Sequence, residues 1–200
     1  TIDPSKIIRN STARVGDKLI LTKPLGMGIL TTALKAGKLT EAEIERITSV
    51  MVQLNRVASE LMVRFGAHAA TDVTGFGLLG HAHEVARGSG VELRLDATAI
   101  PYLPEAMAMT MQSGFISGGT VKNKEFLEQH VSFSPDVNKH EQMIFYDAQT
   151  SGGLLIAASE DVAEQLLAAL HDEGIVEAVI IGEVTDGVAG KIIVDRQASP

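Results

Sequence analysis

The run Ala70-Thr71-Asp72-Val73-Thr74-Gly75-Phe76-Gly77-Leu78-Leu79-Gly80-His81 holds the residues best suited to chemistry in this chain. It sets one carboxylate, two hydroxyls and three glycines before an apolar stretch that reads as a helix. Glycine lets a backbone turn sharply and approach a ligand closely, and the first amides of a helix aim free N–H groups and a positive dipole end at an anion. The pattern points to phosphate chemistry. A carboxylate beside phosphate is repelled unless a hard cation such as Mg²⁺ sits between them, held by one or two carboxylates and by phosphate oxygens. Asp72 therefore reads as a metal ligand. The structural alternative is an Asp or Thr N-cap on a helix beginning near Gly77.

Gly75-Phe76-Gly77-Leu78-Leu79-Gly80 also matches the dinucleotide pattern G-x-G-x-x-G, with Asp96 at a plausible spacing for a ribose contact. In that fold the glycines follow a solid apolar strand, whereas here they follow a short one with a polar end. Asp72 would then face the pyrophosphate and repel it. The Thr150-Ser151-Gly152-Gly153 run is read as a tight turn ahead of an anion cradle, as is Gly118-Gly119-Thr120. Lys23 is read as solvated rather than as a phosphate contact. His81 and His83 point in different directions on a helix and make a poor metal pair, although His81 and Glu84 share a face. Ser151 lacks the strand-to-helix setting of a nucleophile elbow.

The elements that must position these residues follow from periodicity. Strands are expected at Lys18–Thr22, Val91–Leu95 and Leu154–Ala158, with Ala178–Val184 and Lys191–Asp195 closing the chain as a hairpin around Gly187 and Gly190. Helices are expected from Pro24–Gly28 to about Lys35, from a Thr40/Glu43 capping box continuously to Phe65, from Gly77 to a stop at Gly88, over Glu105–Gln112, and from a Ser159 cap to Gly174. Met143–Tyr146 reads as a strand or a helix end, and Gly114–Asn138 as one long loop. Residues 1–14 read as a linker and 15–200 as one α+β domain.

Composition narrows the class. With 17 Lys and Arg against 25 Asp and Glu the net charge is −8, and the basic residues do not cluster, which argues against nucleic acid as a partner. No apolar run is long enough to span a membrane, so a cytoplasmic protein is expected. The chain has no Cys, and with it no thiol nucleophile and no zinc–cysteine site.

Four motifs occur in order: Lys23-Pro24-Leu25-Gly26; Thr71 through His81; Ser117-Gly118-Gly119-Thr120 with Asn123; and Gln149-Thr150-Ser151-Gly152-Gly153-Leu154. Together they resemble the C-terminal portion of the selenophosphate synthetase (selenide, water dikinase) family, over nearly the whole chain. The family usually carries Pro where Ala148 stands. The resemblance implies an α+β domain with a mixed, largely antiparallel sheet layered with helices, in the ATP-binding superfamily of aminoimidazole ribotide synthetase. It implies an enzyme that makes selenophosphate, AMP and phosphate from ATP, selenide and water. Asp72 would be this domain's Mg²⁺ ligand, with Thr71, Thr74 and Gly75 beside the phosphates of ATP. Gly118, Gly119, Asn123, Thr150, Ser151, Gly152 and Gly153 would form phosphate or turn loops. An N-terminal domain would supply the nucleophile, a Lys and most metal-binding aspartates, so no catalytic residue is expected in this chain and it is expected to be inactive alone. The resemblance also implies a homodimer for the full-length protein. The alternatives are another ATP-dependent enzyme of the superfamily, of the thiamine-monophosphate kinase or aminoimidazole ribotide synthetase type, and a dinucleotide-binding module.

Overall fold

Short apolar runs in this sequence become strands of a single sheet. In a computed structural model describing residues 7–113 and 115–196, these are β1 (Lys18–Leu21), β2 (Ala69–Asp72), β3 (Glu92–Asp96), β4 (Val131–Phe133), β5 (Leu154–Ala158), β6 (Val179–Thr185) and β7 (Ile192–Asp195). Their order is β2-β5-β1-β6-β3-β7-β4. Pairing is antiparallel from β2 through β3 and parallel where β7 meets β3 and β4. The helices are α1 (Met27–Lys35), α2 (Glu41–Val52), α3 (Arg56–Phe65), α4 (Gly77–Ser89), α5 (Pro104–Ser113), α6 (Gly118–Leu127), α7 (Lys139–Phe145) and α8 (Glu160–Asp172). The expected α+β architecture, a mixed and largely antiparallel sheet layered with helices, is the one observed. Residues 1–6 of the expected linker, Gly114 and residues 197–200 lie outside the described residues.

Helices cover both faces of the sheet, and the period of two in a strand divides its side chains between two cores. Leu19 and Leu21 of β1 join Ile29, Leu30, Ile47, Leu78, Leu79 and Phe145 on one side, while Ile20 joins Ala58, Leu61, Leu166 and Leu170 on the other. All five residues of β5 are consequently buried, which is why Leu154–Ala158 reads as a continuous apolar run.

Several sequence expectations change. The helix expected from Thr40 to Phe65 is two helices, broken at Gln53-Leu54-Asn55, and Leu54 is 76% exposed. Ile47 of α2 serves one core and Ala58 and Leu61 of α3 the other, which one straight helix could not do. Lys23 fixes the break: its buried Nζ donates to the carbonyls of Val50 at 3.2 Å and Gln53 at 2.6 Å, as well as to Ser151 at 3.0 Å. Lys23 is thus not solvated, and burial pushes its ammonium below the usual lysine range.

The loop expected over Gly114–Asn138 contains α6 and β4. Of α6 only Thr120, Asn123 and Leu127 are buried, two of them polar, so no apolar stripe marks this helix in the sequence. The closing hairpin is not formed. β3 lies between β6 and β7, with Gly190 N donating to Val91 O and Leu93 N to Lys191 O. Nor does α4 stop at Gly88: it runs to Ser89, where Gly90 takes the left-handed conformation at φ 72°.

Caps separate in the same way. Thr40 and Glu43 form the expected reciprocal box, whereas Ser159 makes no side-chain bond to α8. Thr40→Ala is expected to cost about 1 kcal/mol and Ser159→Ala within roughly 0.5 kcal/mol of nothing, as read by urea denaturation.

Candidate functional site

Asp72 is the last residue of β2, an edge strand whose other side meets Arg9 in an isolated bridge to Ala69. β2 pairs with β5 up to Asp72↔Leu154, and the ladder extends by one bond from Val73 N to Gly153 O at 2.8 Å. Beyond Val73 the backbone turns through Thr74, Gly75 and Phe76 into α4. Gly77 takes φ 67°, and a Cβ there would lie 2.8 Å from the carbonyl oxygens of Tyr146 and Asp147, so only glycine fits.

Neighbouring elements hold this turn by its carbonyls. Gln149 N and Gly77 N both donate to Thr74 O at 2.9 Å, and Asn123 Nδ2 of α6 donates to Gly75 O at 2.9 Å and Tyr146 O at 3.1 Å. The Thr74 hydroxyl bonds His81 Nε2 at 3.0 Å. His81 Nδ1 lies 3.3 Å from Glu84 Oε2 without hydrogen-bond geometry. Against the capping alternative, the N-cap of α4 is Phe76 with no side-chain bond, and the Asp72 carboxylate accepts no hydrogen bond among the described residues. Asp72 is exposed, as are Gly75 and Phe76.

The Thr150–Gly153 run wraps the same corner. Ser151 stands at φ 53° with its carbonyl on Lys23 Nζ, and Gly152 O accepts from Asn55 Nδ2 at 2.9 Å. Gly152 packs against the Val73 carbonyl so closely that a Cβ would lie 2.1 Å from that oxygen. Thr150 and Ser151 are exposed. The structure therefore brings Thr74, Gly75, Asn123, Gly152 and Gly153 together, with Asp72 and Thr71 at their edge. Gly118 and Gly119 form the first turn of α6, capped by Ser117 accepting from Thr120 N at 3.1 Å, and Gly118 stands in open space.

Sequence reasoning misses the residue beneath this assembly. Asp147 is fully buried at the end of α7. Its Oδ2 accepts from Gly28 N at 2.8 Å, Ile29 N at 3.2 Å and Gln149 Nε2 at 3.2 Å, and its Oδ1 from the Thr120 hydroxyl at 2.8 Å. Gln149 Oε1 accepts from Gly26 N and Met27 N, so the free amides of α1 are filled by the protein's own oxygens. The sequence signal is faint: one acid just before Gln149-Thr150-Ser151. Burial outweighs these four bonds and lifts the Asp147 carboxyl to about 6.

A carboxyl raised on folding favours the protonated native state, so its contribution to stability is full below the unfolded value and is lost as pH rises through about 6. From this group alone, stability is expected to fall by about 2 kcal/mol between pH 4 and 7. Urea midpoints of the wild type and Asp147→Asn across that range check it. The wild type should gain on the variant as the solution is acidified.

The donor set around Asp72 bears on a metal. Among the described residues no three His, Asp or Glu side chains gather as a ready-made cation site. One exposed, unbonded carboxylate suits Mg²⁺, which keeps several waters and binds through one or two carboxylates plus phosphate. A cavity of about 520 Å³ adjoins Thr71 and Asp72, lined also by Arg9, Asn10 and Ser11. The dinucleotide alternative fails on topology. β2 and β3, which flank α4, stand first and fifth in the sheet, so no βαβ unit forms, and Asp96 accepts from Thr98 instead.

The chain is 39% identical to the selenide, water dikinase of Clostridioides difficile over 92% of its own length and 52% of that protein. It is 44% identical to the selenide, water dikinase of Caldanaerobacter subterraneus, over 92% and 53%. The chain thus spans about half the length of these curated relatives. Among solved structures, hydrogenase maturation protein HypE in complex with ATP superposes with a TM-score of 0.72 at 20% identity, over 96% of this chain and 51% of that one. A family profile described as AIR synthase related protein, C-terminal domain, matches residues 14–195, and the chain belongs to that family.

Proposed function

We propose that this chain is the C-terminal domain of a selenide, water dikinase, the enzyme that makes selenophosphate, AMP and phosphate from ATP, selenide and water. The observation that carries the reading is convergence. Motifs far apart in the chain, at Lys23, Asp72–Gly77, Asn123 and Gln149–Gly153, meet at one end of the sheet and leave Asp72 exposed at its edge. Relatives named for this activity, 39% to 44% identical, support it.

In this reading Asp72 holds Mg²⁺, which when bound neutralises charge on phosphate oxygens. Thr71 and Thr74 lie to either side in sequence, and Gly75 presents backbone without a side chain, so phosphate can approach the turn. Asn123 and Gln149 keep that turn in one conformation, as positioning of phosphoryl groups requires. The remaining metal ligands, the nucleophile and a Lys come from an N-terminal domain, and the whole enzyme is a cytoplasmic homodimer. The chain alone does not catalyse.

Calorimetric titration of Mg-ATP into this chain and, separately, into the full-length protein tests the division of labour. Binding to the full-length protein alone is expected. Tight binding to the isolated chain would overturn the two-domain reading and point to a stand-alone nucleotide site.

A further inference from the structure

Asp147 bonds neither Asp72 nor the turn after it, yet the two segments that grip that turn from outside both lead back to its carboxylate. Gln149 donates Nε2 to Asp147 Oδ2 at 3.2 Å and, through its backbone N, holds Thr74 O at 2.9 Å. Thr120 donates to Asp147 Oδ1 at 2.8 Å, and one helical turn along α6 Asn123 holds Gly75 O. The third tie goes to the start of α1 through the amides of Gly28 and Ile29. There is no room for a bulkier joint: a Cβ on Gly28 would lie 2.6 Å from Asp147 Oδ1.

We propose that Asp147 is the positioning residue of the site, its two carboxylate oxygens clamping α1, α6 and the Gln149 loop so that the Thr74–Gly77 turn carries Asp72 in a single conformation. The four donors need an acceptor on both oxygens. An amide at this position offers one acceptor oxygen, so its NH2 either faces the α1 amides, donor against donor, or faces Thr120, whose hydroxyl must then turn from donor to acceptor and toward Ser117. Burying a carboxylate here without a cation disfavours folding, as its raised proton affinity records. A neutral side chain avoids that charge burial but leaves part of the donor set without its acceptor. What the carboxylate provides is a rigid mount.

The importance of the mount for catalysis rests on the reading of Asp72 as metal ligand, whereas the mount itself is testable without activity. Amide hydrogen exchange and Mn²⁺-induced relaxation of the 200-residue chain are measured for the wild type and Asp147→Asn. The expected result is exchange on the order of ten-fold faster at Val73–Gly77, with α8 and β6 unchanged, and weaker Mn²⁺ broadening around Asp72. If Asp147→Asn does not fold, Thr120→Val, which removes one donor from the same carboxylate, is read in its place. Unchanged exchange at Val73–Gly77, or acceleration spread evenly over the chain, overturns the proposal. Faster local exchange in a chain whose Asp72 region shows no Mn²⁺ effect supports the mount, and the metal reading is then decided by turnover of Asp72→Ala in the full-length protein.

Discussion

Asp72→Ala in the full-length protein is expected to lower ATP turnover on the order of a hundred-fold or more while leaving the fold intact. Both halves of that expectation come from the same geometry. The carboxylate is exposed and accepts no hydrogen bond among the described residues, so removing it vacates no packing and strands no donor. The stability change should stay within roughly 0.5 kcal/mol, read as the urea midpoint of this chain. Among the described residues no group of three His, Asp or Glu side chains stands ready to hold a cation in place of Asp72. Asp72→Asn keeps the shape and removes the charge, and it should fall nearly as far. Normal turnover in either variant would end the metal-ligand role.

A large effect on stability is expected at Gly152. A methyl group there would stand 2.1 Å from Val73 O and 3.0 Å from Gln149 Cβ. The first neighbour is backbone at the end of the β2–β5 ladder, so relief requires β2 or the Thr150–Gly153 turn to shift. Gly152→Ala should cost about 3 kcal/mol or more and displace the residues next to Asp72. Gly118→Ala is the matched control. Gly118 sits in the first turn of α6 with no atom near its missing Cβ, and alanine there should be neutral or stabilising by up to about 1 kcal/mol. Thermal melts of the two variants, with turnover of the full-length protein alongside, check the pair. Equal stability would mean that the Gly152 turn yields easily and does not set the position of Asp72.

These two glycines also mark how far the sequence can be read. Gly152 and Gly118 stand in similar settings, each between a serine and a second glycine, and both runs read as turns or phosphate loops. Only in the folded chain does one abut a distant carbonyl and the other face open space. The Thr40–Phe65 helix shows the same limit. Its periodicity is genuine on either side of Leu54, but the break depends on Lys23, which takes carbonyls that a continuing helix would use. Lys23 itself reads as solvated, since nothing local to it announces three backbone acceptors from other parts of the chain.

What the sequence determined by itself was whatever is set by local order: the strands with period two, the apolar run of β5, the Thr40 capping box, the order of the motifs and the choice of Asp72 as the acid nearest the glycine turn. What only the tertiary structure decided was the position of β3 between β6 and β7, the helix from Gly118 to Leu127 behind its Ser117 cap, the burial of Lys23, and the place of Asp147 beneath the turn. The physical reason for the division is range. Hydrophobic period, capping and turn preference act between residues a few positions apart and are written in their order. A buried ammonium or carboxylate is decided by donors and acceptors from several segments, the most distant 128 residues away for Lys23 and 119 for Asp147, and these meet only once the sheet has formed.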